Sequence, residues 1–175
     1  MWWFTADQHF DHTNIMKHCN RPFSSVEEMN EHMIEIWNKY ITGADVVIVA
    51  GDWTLHHKRQ YVYEKFTKRV RGNVIFLKGN HDWWLKGDKY IYHRTIKGQG
   101  IAVSHYPMRT WKNHQHGWWN LHGHSHGTLA PLYNQLDIGV DVAFQFYNEY
   151  RPFSFEEIKQ IMEERKTTEE EKWER

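Results

Sequence analysis

The sequence predicts an α/β protein with a parallel first half and a β-richer second half. Two patterns carry that reading. β-branched or aromatic runs alternate with amphipathic stretches as far as residue 77, and capping signatures mark helix starts. The chain has 175 residues, close to the ~150 residues of one domain. It therefore reads as a single domain over 1–175, with a C-terminal helix and charged tail from about 154.

The elements follow in order. Trp2 to Ala6 is an apolar, aromatic strand that stops at Asp7, and residues 9–14 read as a polar loop. Ser24 and Ser25 each precede a glutamate by three residues, a capping-box pattern. Met29, Met33, Ile36 and Trp37 then repeat at helical spacing until Gly43. Val46 to Ala50 is a continuous run suited to a strand buried on both faces. Residues 57–70 suggest an amphipathic helix, and Val74 to Leu77 a third strand. Farther on, Tyr90–Ile96, Gly100–Ser104, Trp118–His122 and Leu136–Val140 read as strands without helices between them. Pro152, Ser154 and Glu157 open a final helix through Ile158, Ile161 and Met162. Arg-Pro-Phe-Ser occurs at both 21–24 and 151–154, a common way to launch a helix.

Composition excludes several classes. Lys+Arg and Asp+Glu are both 22, so no uniformly basic coat for nucleic acid exists. The balance hides net −3 from Glu156 to Arg175 and net +3 before it (eight acidic and five basic residues in the tail). Cys19 is the single cysteine and cannot form an intrachain disulfide. The N-terminus has no signal-peptide pattern, and no apolar run reaches the ~18 residues of a membrane span. These features fit a cytoplasmic location and no membrane partner.

Histidine is the anomaly. There are fourteen, six of them between His105 and His126. Together with Asp and Asn they collect where predicted strands end: Asp7 and His9, Asp52, Asn80 to Asp82, His105, and His124 with His126. Ligands of open α/β sheets bind at such ends. Asp7 and His9 are two apart, as are His124 and His126, so an extended exit would point each pair the same way. Three oxygen donors (Asp7, Asp52, Asn80) and four imidazoles suit Mn²⁺, Zn²⁺, Fe²⁺ or Ni²⁺ better than Mg²⁺ or Ca²⁺. Seven ligands exceed one structural zinc site and divide between two ions. Asp52, the sole ligand of its loop, is the best bridge. Gly51 and Gly79 precede Asp52 and Asn80 and permit tight turns there.

Asp7-Gln8-His9, Gly51-Asp52, Gly79-Asn80-His81-Asp82, Ser104-His105 and Gly123-His124-Ser125-His126 resemble, in order and type, the calcineurin-like metallophosphoesterases. Leu136 to Asp141, with the closing Arg-Pro-Phe-Ser helix, is similar to the small bacterial and phage members. The resemblance implies a four-layer α/β/β/α sandwich of two packed mixed sheets flanked by helices. It implies that Asp7, His9, Asp52 and His126 hold one ion, and Asp52, Asn80, His105 and His124 the other. His81 would be the non-ligand histidine near the leaving group, oriented by Asp82. Many members carry a second aspartate shortly after Gly-Asp, where this chain reads Trp53-Thr54-Leu55-His56. Large specificity insertions are also missing, which weakens assignment to double-strand-break nucleases or large protein phosphatases.

The expected function is a dinuclear phosphoesterase, manganese first among its metals, in which a hydroxide between the ions attacks phosphorus in line. The loop after His105 bears Arg109, Trp111 and Lys112, a basic and aromatic set able to hold phosphate and stack on a base. It favours a phosphodiester of nucleotide type or a nucleic-acid end, although net charge does not point to nucleic acid. A phosphomonoesterase with the same centre, or a scaffold that lost turnover, are the alternatives. Trp2, Trp3, Trp37, Trp83 and Trp84 read as core or sheet packing. Oligomeric state has no signature in the sequence.

Overall fold

The computed structural model describes residues 1–130 and 132–173, with side chains as far as 166. The end of the acidic tail, 174–175, and the side chains of 167–173 lie outside the described residues. In chain order the first half contains β1 (Trp2–Thr5), α1 (Thr13–His18), α2 (Val26–Tyr40), β2 (Val46–Val49), α3 (Arg59–Lys65) and β3 (Asn73–Phe76). The second half contains β4 (Ile91–Ile96), β5 (Gln99–Ser104), β6 (Trp119–His122), β7 (Gln135–Asp137), α4 (Val140–Tyr147), β8 (Phe153–Ser154) and α5 (Phe155–Trp173).

Two mixed four-stranded sheets are flanked by helices, in the manner of the α/β/β/α sandwich. The first runs β3-β2-β1-β8, with β1, β2 and β3 parallel and β8 antiparallel to β1. The second runs β4-β5-β6-β7, with β5, β6 and β7 parallel and β4 antiparallel to β5. Alternation along the strands assigns the faces. Phe4 and Ile48 point between the sheets and share one core with Ile101, Val103, Leu121 and Leu136. Trp3, Val47 and Val49 point the other way, onto Met29, Met33 and Trp37 of α2 and Val62 of α3. Four of the ten tryptophans, Trp3, Trp37, Trp53 and Trp84, lie in that outer layer. Trp53 is fully buried and meets Phe10, Trp37 and Phe76 at ring distances of 4.8, 5.6 and 5.2 Å.

Both capping signatures are used. The Ser25 hydroxyl accepts the Glu28 amide at 3.1 Å, while the Glu28 carboxylate accepts the amide of Ser24 rather than Ser25. At α5 the box is reciprocal: Glu157 N–H donates to Ser154 Oγ at 3.3 Å, and Ser154 N–H to Glu157 Oε2 at 2.8 Å.

Several elements depart from the sequence reading. The expected polar loop at 9–14 runs into α1, and the helix expected over 57–70 is α3 followed by a 3₁₀ turn at Thr67–Arg69. The strand expected through Val140 ends at Asp137, and Val140 opens α4, a helix the alternation in Val-Asp-Val-Ala-Phe-Gln-Phe concealed. Eight residues are too few for a clear helical period, the more so when the first four, Val140 to Ala143, are all buried. Trp83, expected to pack, is 69% exposed.

The same ends of both sheets meet. Beyond the β1–β2 pairing, Asp7 N–H donates to Gly51 O at 3.1 Å and His9 N–H to Asp52 O at 3.0 Å. One parallel bridge pairs Ala6 with Gly139, which joins the carboxyl ends of β1 and β7. Among the described residues no helix is long and apolar enough to cross a membrane.

Candidate metal centre

The seven expected ligands all stand on the loops that leave β1, β2, β3, β5 and β6. The backbone aims them differently from the extended exit expected from spacing. Asp7, His9, Asp52, His124 and His126 all have positive φ, between 47° and 70°. A non-glycine residue held there costs of order 1–3 kcal/mol, a strain that clusters at functional sites. The exits of β1 and β2 still run side by side past these turns, as far as a parallel bridge between Phe10 and Thr54. Gly51 and Gly79 make room: a Cβ on Gly51 would lie 2.7 Å from the Gly79 backbone, and one on Gly79 would fall on the Asp52 carboxylate.

Among the described residues four groups have donor atoms within 4.8 Å of one another. His9, Asp52 and His81 form one, and Cys19, His126 and Asp141 another. Two hold expected ligands alone: Asp7, His9 and His126 in one, Asp52, His105 and His124 in the other. Asp52 Oδ2 lies between them, 3.6 Å from His9 Nε2 and 3.4 Å from His105 Nε2. Asn80 joins the second group through Oδ1, 2.9 Å from His105 Nε2.

The chemistry of these atoms fits divalent cations. The ring of His105 has Nδ1 2.9 Å from the carbonyl of Ala50, a geometry that makes Nδ1 the protonated nitrogen. Nε2 then faces two other acceptors, Asn80 Oδ1 and Asp52 Oδ2, and only a proton or a cation there satisfies all three. Asp7 Oδ1 and His9 Nε2 are buried and without any hydrogen-bond partner. Converging acceptors with no donor need a cation or a proton between them. Burial, with the Asp137 and Asp52 carboxylates nearby, pushes Asp7 well above the usual carboxylate range. Burial also pushes His9 well down, which favours its neutral ring. Burial works against ionised Asp52, but the hydrogen bond and charge of His105 outweigh it and hold that carboxyl at about 2. Together the two groups suggest a dinuclear divalent-metal site.

Supports stand behind the ligands that the sequence did not announce. His126 Nδ1 is 2.7 Å from Asp141 Oδ2. Asp141 also accepts Arg21 Nε and Nη2 at 2.7 and 2.8 Å, and Arg21 donates on to the carbonyls of Gln8 and Asp7. Asp137 accepts Ser125 Oγ and the amides of Gly127 and Gly139, which shapes the loop that holds His124 and His126. His12 Nδ1 is 3.3 Å from His9 Nδ1. Asp141 falls within the Leu136–Asp141 stretch, a usable signal; a buried arginine such as Arg21 has none.

The remaining expected residues are placed as follows. His81 is partly exposed beside the cluster, with Nε2 3.9 Å from Asp52 Oδ2 and its amide donating to Asp52 Oδ1 at 3.0 Å. Asp82 is buried, and its carboxylate accepts the amides of Asp52, Trp53 and Gly79 and the indole of Trp84. It ties the two ligand loops together. Trp111 is buried inside its own loop, donates to Trp118 O at 2.8 Å and packs on His114. Lys112 lies over the Trp118 ring, and Arg109 is exposed on the loop that follows His105. Thus the structure gathers Asp7, His9, Asp52, Asn80, His81, His105, His124 and His126, and leaves Trp111 and Lys112 in a separate loop packing.

A family model described as calcineurin-like phosphoesterase matches residues 3–174. The chain is 33% identical over 166 residues to an uncharacterized protein, MJ1445, of Methanocaldococcus jannaschii, covering 92% of this chain and 90% of the relative. Its fold is similar to the crystal structure of a protein of unknown function, AQ665, from Aquifex aeolicus. The TM-score is 0.67 at 21% identity, over 92% of this chain and 98% of that one. The family model spans nearly the whole sequence: the chain belongs to the calcineurin-like phosphoesterase family.

Proposed function

We propose that this chain is a metal-dependent phosphoesterase that prefers phosphodiesters of nucleotide type and works with manganese. The observation that carries the metal reading is the position of Asp52 Oδ2 between His9 and His105, beside Asp7 Oδ1 and His9 Nε2, which are buried without a hydrogen-bond partner. Asp7, His9, Asp52 and His126 would hold one ion, and Asp52, Asn80, His105 and His124 the other. Bound there, the two ions supply charge neutralisation for the phosphoryl oxygens and a water acidified enough for in-line attack.

The chain's own groups do the rest. His81 reaches the cluster from its exposed side, where it donates a proton from Nε2 to the leaving oxygen. Asp82 acts at one remove by holding the Asp52 and Asn80 loops in register. Asp141 keeps His126 in one tautomer and orientation. Arg109, exposed after His105, is the contact proposed for a substrate phosphate oxygen.

A panel of bis-p-nitrophenyl phosphate, p-nitrophenyl phosphate, cyclic nucleotides and short oligonucleotides, run with Mn²⁺, tests this reading. Turnover of the diesters is expected. Hydrolysis of monoesters alone would overturn the diester preference, and none at all would overturn the enzymatic reading.

A further inference from the structure

Beside the Asn80, His105 and His124 side of the cluster lies a cleft of about 320 Å³, lined by Tyr90, Ile91, His105, Tyr106, Pro107 and Met108. A second hollow of about 260 Å³ shares Lys78, Tyr90 and Tyr106 with it and reaches Asn80 and Trp83, and Lys78 Nζ lies 6.0 Å from the centre of the Tyr90 ring. Together they fall in the range of small-ligand sites, about 300–1,000 Å³. Three large rings stand open to solvent here: Trp83 at 69%, Tyr106 at 50% and Tyr90 at 48% exposure. Grouped exposed aromatics mark binding surfaces rather than ordinary packing.

Tyr106 links this face to the chemistry. Its ring meets His124 at 4.6 Å and His105 at 5.0 Å, both edge to face, and its hydroxyl is 3.5 Å from Asn80 Oδ1. One side of the ring is thereby fixed on three of the expected ligands, and the rest is free to solvent. Trp111, the ring that sequence spacing nominates for stacking, is buried and committed to Trp118. The wall of rings recognises a flat apolar surface, because stacking is tolerant of the hydrogen-bonding pattern of what is stacked.

We propose that the Tyr106–Tyr90–Trp83 cleft holds a planar aromatic substituent of the phosphate ester, a nucleobase or aryl ring, while its phosphate sits at the metal cluster. The proposal rests on the metal reading above and adds the substrate class and the residues that read it. The cleft selects flatness over base identity.

Hydrolysis-proof phosphonates separate binding from turnover. Calorimetry on the manganese-loaded full chain compares phenylphosphonate, cyclohexylphosphonate and methylphosphonate, with bound metal measured in parallel. Phenylphosphonate is expected to bind about tenfold tighter than cyclohexylphosphonate, a ratio in the range of ring stacking. Tyr106→Ala should bring that ratio close to one, and Tyr106→Phe should keep it. If Tyr106→Ala loses metal, Trp83→Ala and Tyr90→Ala carry the test, and each should reduce the ratio. Equal binding of the two rings by the wild type, with both ions present, overturns the cleft and leaves the metal centre standing. A dimer that Trp83→Ala dissociates, with no preference for phenyl, makes this face a subunit contact and overturns the cleft likewise. Failure to bind metal or any phosphonate overturns both.

Discussion

The imidazole Nδ1 of His126 lies 2.7 Å from Oδ2 of Asp141, and the same carboxylate is clasped by Arg21 through Nε and Nη2. A carboxylate behind a ligating histidine fixes the tautomer and the ring direction. Asp141→Ala is expected to weaken metal binding about 10–100-fold. Asp141→Asn, which keeps an acceptor for Nδ1, should retain more. Metal titration of the two variants checks this order; equal affinity to wild type would remove Asp141 from the site.

His81 stands at the exposed edge of the cluster, outside the seven donors. His81→Ala should keep both ions and lower kcat by about 10²–10⁴, the usual span of general acid–base catalysis. The loss should be steeper for esters with poor leaving groups, which depend more on a donated proton. Kinetics with alkyl and p-nitrophenyl esters, alongside elemental analysis, distinguishes this from loss of metal.

Gly79 packs against Asp52, with a would-be Cβ 2.5 Å from the Asp52 amide nitrogen. Gly79→Ala must therefore displace the Asp52 loop, at about 1–3 kcal/mol for an overpacked site. It should lower both thermal stability and metal uptake. Gly43 has nothing within 4 Å of its own Cβ position, so Gly43→Ala is the matched control and should bind metal normally.

Glu157 closes the α5 capping box and pairs with Arg151 at 2.6 Å. Burial alone would raise its pKa, but the Arg151 hydrogen bond and Ser154 outweigh it and lower the group below 4.5. A carboxyl lowered on folding stabilises above its unfolded pKa and loses that contribution as pH falls through the folded value. Glu157→Gln keeps an amide oxygen that can still close the box but loses the charge facing Arg151. It should cost about 1 kcal/mol near pH 7, the difference between a charged and a neutral hydrogen bond. The gap from wild type should close as pH drops below 4.5. Denaturant unfolding at pH 7, 5 and 3 measures it.

The clustering of these side chains was legible because polar residues interrupt apolar strands at five points, and the strands themselves were marked by runs such as Val46–Ala50. The aim of the ligands was not. Asp7 and His9 reach their cluster through left-handed backbone, which alternation along a strand does not announce. Helix α4 was hidden because its short span alternates like a strand, and it turns Asp141 onto His126 only in three dimensions. The two Arg-Pro-Phe-Ser copies launch helices alike yet use their arginines differently. Arg21 braces the centre, while Arg151 pairs with Glu157 and lies 3.8 Å over the Tyr147 ring. The exposed Trp83 face could not be read from composition, since Trp3, Trp37, Trp53 and Trp84 are buried.

Metal content per chain tests the central claim most directly, measured on the manganese-reconstituted wild type and on Asp52→Ala with bis-p-nitrophenyl phosphate hydrolysis in parallel. Two ions per wild-type chain, and loss of both metal and hydrolysis in the variant, are the expected result. An Asp52→Ala protein that keeps two ions and full hydrolysis would contradict it.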